Sequence, residues 1–149
     1  MKNQFLVFSI CFLIGFIVSG CGKTIDTNYV EGVVKLDGQP LAGACVTFIP
    51  IAENGESAGG FSDDNGKYRL TSTYGDGGKG AFAGDYIVTV TKSKTVPLEK
   101  PIEHDDGSVT TETTEHILPA IYRNRTKSPL KFTVVKGKNK FDIDLSTKP

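Results

Sequence analysis

Residues 30–50 read V-E-G-V-V-K-L-D-G-Q-P-L-A-G-A-C-V-T-F-I-P. Two runs rich in Val, Ile and Phe, residues 30–36 and 44–49, flank a link that contains Gly38, Pro40 and Gly43. β-branched and aromatic side chains suit a pleated, half-buried surface, and Asp-Gly suits a turn. Pro40 has no N–H to give to a sheet ladder, so the link belongs at a strand end. In the second run Ala44, Val46 and Phe48 share one face, while Cys45, Thr47 and Ile49 take the other. The stretch is therefore two strands and a turn.

The same alternation recurs down the chain. A short strand near residues 58–62 leads into Asp63-Asp64-Asn65-Gly66 and a strand at residues 67–71. Two carboxylates and an amide suggest a calcium loop, but Lys67 and Arg69 fall where a loop of that kind needs oxygen ligands. A hairpin turn, with Asn-Gly at positive φ and Asp63 bonding the local backbone, is the better reading. The Gly-rich residues 72–83 contain G-D-G-G-K-G, yet Lys79 is followed by Gly80 and not by Ser or Thr, so no phosphate-binding loop is spelled. Tyr74 and Phe82 are this loop's aromatics, either exposed binding groups or satellites of the core. Tyr86, Val88 and Val90 then alternate with Ile87, Thr89 and Thr91, which marks a central strand. Residues 117–125 allow one helical turn after Pro119, and two further runs around residues 130–135 and 140–145 read as a terminal hairpin. The expected inward set is Val46, Phe48, Tyr68, Leu70, Tyr86, Val88, Val90, Leu130, Phe132, Val134, Phe141, Ile143 and Leu145. This is an all-β pattern, and it predicts about seven antiparallel strands in two packed sheets.

Three of these stretches, G-V-V-K-L-D-G-Q-P-L-A-G-A-C-V-T-F-I-P, F-S-D-D-N-G-K-Y-R-L and G-D-Y-I-V-T-V, resemble carboxypeptidase regulatory-like domains, the transthyretin-like sandwiches. The phrase L-P-x-x-Y before the last strands resembles lipoproteins of planctomycete-type bacteria. The resemblance implies a seven-stranded Greek-key β-sandwich over residues 29–146, with an insert at residues 95–116. Its motifs are turn glycines and inward apolar positions, so they speak to fold and not to activity. Some transthyretin-like proteins are hydroxyisourate hydrolases with a Tyr-Arg-Gly-Ser tail. This chain ends Ser146-Thr147-Lys148-Pro149 and has no His in its first strand, so that activity is not implied.

Composition agrees with one domain of this class. The chain has 149 residues, 38% of them hydrophobic, 17 glycines and no Trp. Bases and acids balance at 17 each, so no global field points to nucleic acid.

Residues 1–20 are an address and not part of the fold. Lys2 supplies a positive start, and residues 5–18 form an apolar run of signal-peptide length. Val18-Ser19-Gly20-Cys21 follows and resembles the bacterial lipobox. The resemblance implies a diacylglyceryl group on the Cys21 thiol, cleavage before Cys21 and acylation of the new amine. One acyl chain binds a bilayer marginally, whereas two or three hold a protein durably. Residues 21–28 are then a lipidated tether. Gly22 at the second position points to the outer membrane by the sorting rule of enteric lipoproteins. The expected location is the cell envelope, and the expected partners are the membrane, through lipid on Cys21, and an envelope protein or glycan.

Cys11 departs with the signal peptide and Cys21 is lipidated, which leaves Cys45 alone. An exported domain without a disulfide results, and Cys45 reads as a structural thiol inside a strand. The insert carries Glu99, Glu103, Asp105, Asp106, Glu112 and Glu115, one Lys, two prolines and both histidines, and it reads as an extended, mobile acidic loop. His104, Asp106 and His116 have ligand types suited to zinc or copper. From residues 123 to 140 there are seven bases and no acids, a stretch that could face the acidic insert. No G-x-S-x-G, H-E-x-x-H or C-x-x-C occurs. The expected function is a non-catalytic, membrane-anchored binding or scaffolding lipoprotein with no cofactor. The alternatives are an exported metal-binding protein using the insert, and an enzyme whose dyad only the fold would assemble.

Overall fold

The computed structural model describes residues 26–72 and 80–149. Residues 1–25, with Cys21 and the signal segment, and Tyr74 in the Gly-rich loop lie outside the described residues.

Two five-stranded sheets pack face to face. In the first, β1 (Tyr29–Leu36) is central. On one side it meets β2 (Gln39–Pro40) and β5 (Lys67–Arg69); on the other it meets β11 (Lys138–Lys140) and β12 (Ile143–Leu145). The second sheet runs β10 (Lys131–Val134), β7 (Gly84–Thr91), β3 (Cys45–Pro50), β4 (Ala58–Phe61), β6 (Thr71–Ser72). The all-β sandwich expected from the alternation is what forms. Val30, Val34, Val46, Phe48, Leu70, Tyr86, Val88, Val90, Val134 and Ile143 fill the space between the sheets. Phe48 stacks on Phe132 at 5.9 Å between ring centroids, and Phe132 on Phe141 at 4.7 Å. Each fully buried side chain of this kind contributes about 1.5–3 kcal/mol.

Several expectations need correction. The last two apolar runs do not make a hairpin: β10 pairs antiparallel with β7, while β11 and β12 pair parallel with β1 in the opposite sheet. Residues 135–137 form a corner at which the chain reverses and changes sheet, so β11 starts beside the start of β1 and runs with it. Asn139 holds this corner, its amide nitrogen donating to the Val135 carbonyl at 2.8 Å and its amide oxygen accepting from the Val135 N–H at 2.9 Å. Leu130, Phe132 and Phe141 are only partly buried, because they sit at the margin where the sheets meet. Gly32 lets the link between β11 and β12 lie close against β1, since a Cβ there would stand 1.8 Å from the Phe141 carbonyl oxygen.

The turn at residues 63–66 closes as expected on Asp63, whose Oδ1 accepts from Asn65 N and Lys67 N, both at 2.9 Å. Only Gly66 takes a positive φ there, not Asn65. The strands on either side also part company, β4 to one sheet and β5 to the other. Residues 67–72 therefore form a second corner: Tyr68 and Ser72 are buried in different sheets, with Leu70 between them.

The insert is a strand pair and not a loop. β8 (Ser93–Glu103) and β9 (Val109–His116) form a two-stranded antiparallel sheet of their own. β-branched Thr and Val favour this pairing despite the surrounding charge. α1 (Ala120–Arg123) follows Pro119 as expected. β10 pairs with β7 only as far as Ile87; beyond it α1 packs on β7, and Leu118 and Tyr122 enter the core.

The sandwich has two distinct poles. β1 begins at one, beside the 135–137 corner and beside Gly84, where β7 also begins. β7 ends at the other pole with Thr91, and β8 starts two residues later. Eight residues of strand separate the poles by about 27 Å.

Candidate functional site

The described chain enters the sandwich through Asn28, which is buried although polar. Its backbone exchanges two hydrogen bonds with Ala81: Asn28 N donates to Ala81 O at 2.6 Å, and Ala81 N donates to Asn28 O at 2.9 Å. Its side-chain oxygen accepts from Gly137 N at 2.8 Å. Gly80, at φ +113°, lets this junction close, because a Cβ there would lie 1.8 Å from Asn28 O. The described chain thus enters the sandwich through a fixed clamp at Asn28.

At the opposite pole the hairpin stands exposed along nearly its whole length. Ser93 pairs with His116 at its base, and the Ser93 hydroxyl lies 3.0 Å from His116 Nδ1. Lys94 and Glu115, directly opposed, form an ion pair at 3.0 Å. At the tip, Gly107 N donates to His104 O at 2.9 Å, and His104 Nε2 lies 2.9 Å from the Thr110 hydroxyl. Asp106 accepts from the Ser108 hydroxyl at 2.6 Å and from Ser108 N at 2.9 Å, and these bonds hold its carboxyl below the ordinary Asp value.

His104 and His116 therefore sit at opposite ends of the hairpin. A rise of ~3.3 Å per residue along β9 separates them by roughly 20 Å. His104, Asp106 and His116 do not converge on one ion, and among the described residues no group of three His, Cys, Asp or Glu is gathered for a metal. Nor do the acidic insert and the basic stretch pair: among the described residues the ion pairs are Lys94–Glu115, within the hairpin, and Lys140–Asp142.

The hairpin's two edges differ. β8 carries Pro97 and Pro101 and an irregularity between Pro97 and Ile102. Prolines and bulges blunt a strand edge. β9, V-T-T-E-T-T-E-H, has eight residues and no proline. Its outer edge offers free backbone donors and acceptors, so the arrangement can accept an added strand. Sequence reading passed over β9 because its acids suggested a loop, although the Thr-rich run and the prolines in only one arm were visible.

Cys45 is a free thiol on β3, half-buried, with Sγ 3.9 Å from the Thr47 hydroxyl. Both histidines bond within the hairpin, and neither is among its contacts. Phe82 is half-buried, and its carbonyl accepts from the Tyr86 hydroxyl at 3.0 Å.

No known protein family and no curated protein matches the chain. Among solved structures, a 9R-lipoxygenase from Cyanothece PCC8801 aligns with 12% identity and a TM-score of 0.38, over 81% of this chain and 16% of that one. A likeness of that size carries no argument about fold or function.

Proposed function

We propose that this protein is a lipid-anchored, non-catalytic lipoprotein of the cell envelope, held in the membrane by acyl groups on Cys21, whose sandwich is of the carboxypeptidase regulatory-like kind and serves to bind or scaffold. The observation that carries the reading is polar: the tether enters at Asn28, and the hairpin leaves from Thr91 at the far end of the sandwich. A chain anchored at the first pole presents β9 away from the bilayer, where an extended segment of an envelope partner can pair with it.

An isolated two-stranded hairpin is marginal in water. The exposed pair β8–β9 thus has more to gain from a third strand than any element of the sandwich. The exposed ion pair Lys94–Glu115 adds little to its stability. Envelope fractionation of the full chain, paired with cross-linking through a photoreactive residue at Thr113, tests the reading. Membrane-bound protein with a discrete Thr113 adduct supports it. Soluble protein removes the anchor, and a Thr113 adduct no different from one placed at exposed Lys67 removes the hairpin's role.

A further inference from the structure

We propose that the corner at residues 135–138 rests on anionic phospholipid headgroups and seats the sandwich on the bilayer. This rests on the lipid anchor at Cys21 and goes beyond it, because an anchor alone leaves the domain free to tumble on its tether.

The tether is short. Asn28 lies seven steps along the chain from Cys21. A chain of that length reaches at most about 25 Å. The corner is one hydrogen bond from the tether's end, through Gly137 N and Asn28 Oδ1. Whatever the tether holds close to the membrane, it holds this corner close too.

The corner suits that surface. Val135 is 57% exposed, with Lys136 and Lys138 exposed on either side of Gly137. Neither lysine is in an ion pair among those the described residues form. The same pole exposes Ile51, whose N–H donates to Asp85 O, and Arg125, which donates to Pro50 O at 3.1 Å. Of the acids at this pole, Glu53 and Glu56 lie in the loop between β3 and β4, Asp85 accepts from the Thr133 hydroxyl of β10, and Asp26 lies just before Asn28. The exposed lysines without an acid partner are at the β10–β11 corner, so the molecule should lean there. An apolar residue flanked by lysines matches the boundary between acyl chains and charged headgroups.

The far pole reinforces the same orientation. The hairpin carries six acids against Lys94 and Lys100, so an anionic surface repels it. Each basic residue held near such a surface favours contact on the order of fivefold, within a Debye length of about 8 Å.

The test uses the full-length lipidated protein in nanodiscs of phosphatidylcholine alone or with added phosphatidylglycerol, footprinted with an amine-reactive reagent and read by mass spectrometry. Labelling of Lys136 and Lys138, relative to Lys100, should fall several-fold in the phosphatidylglycerol discs and recover in high salt. Equal labelling in the two kinds of disc, in protein retained by both, overturns the headgroup contact while leaving the anchor intact. Protein that enters neither disc overturns the anchor and the contact together.

Discussion

The side-chain oxygen of Asn28 accepts the backbone N–H of Gly137 at 2.8 Å, across 109 residues of chain. This bond joins the point where the described chain enters the sandwich to the corner where the last strands change sheet. Asn28→Ala removes the acceptor and leaves a part-buried donor without its partner. The expected loss is about 1–3 kcal/mol in a urea melt. Asn28→Asp keeps an acceptor for Gly137 and should lose less.

Phe132 and Thr133 test the register of β10. Phe132 stacks between Phe48 and Phe141, while Thr133 faces outward and bonds Asp85. Phe132→Ala should cost about 3 kcal/mol, the low end for such a truncation because the ring is only partly buried. Thr133→Ala should cost under about 1 kcal/mol. Equal costs in denaturant melts would mean that the strand is shifted by one residue.

These two pairs show where the sequence was legible and where it was not. Period-two alternation identified β3, β7 and the inward residues of β10, because each strand's faces are set locally. It could not say which sheet a strand joins, because that depends on contacts such as Asn28–Gly137, far apart in the chain. The terminal hairpin failed for this reason: its turn residues look the same whether the strands pair with each other or with β7 and β1. The hairpin β8–β9 was missed for a different reason. Its charge obscured a Thr-rich run whose ladder bonds are backbone and indifferent to side-chain sign.

Deleting residues 96–115 should leave a cooperatively folding sandwich. Ser93 and His116 are paired at the hairpin's base, so the deletion leaves Lys94 and Thr95 as a two-residue turn between them. Calorimetry should show a single transition shifted by only a few degrees. Loss of that transition would make the hairpin part of the core's cooperative unit.

Tyr68 should set an alkaline limit. Burial, with a smaller push from nearby Asp142, raises its hydroxyl well above the ordinary Tyr value, and that hydroxyl donates to Phe141 O at 2.7 Å. A raised folded value means that the stability is present below the unfolded pKa of about 10 and is lost as pH climbs above it. Tyr86 is raised in the same direction by burial. Urea midpoints should fall above pH ~10. Tyr68→Phe should flatten that decline, although it loses the bond to Phe141.

The central claim is the anchor on Cys21, and the most direct measurement is the mass of the mature protein's N-terminal tryptic peptide, isolated from membranes. Trypsin cuts after Lys23, so the expected peptide is Cys21, Gly22 and Lys23 carrying a diacylglyceryl group, with or without a further acyl chain on its amine. Cys21→Ser should abolish it. An unmodified Cys21, or a peptide that still retains residues upstream of it, would contradict the account.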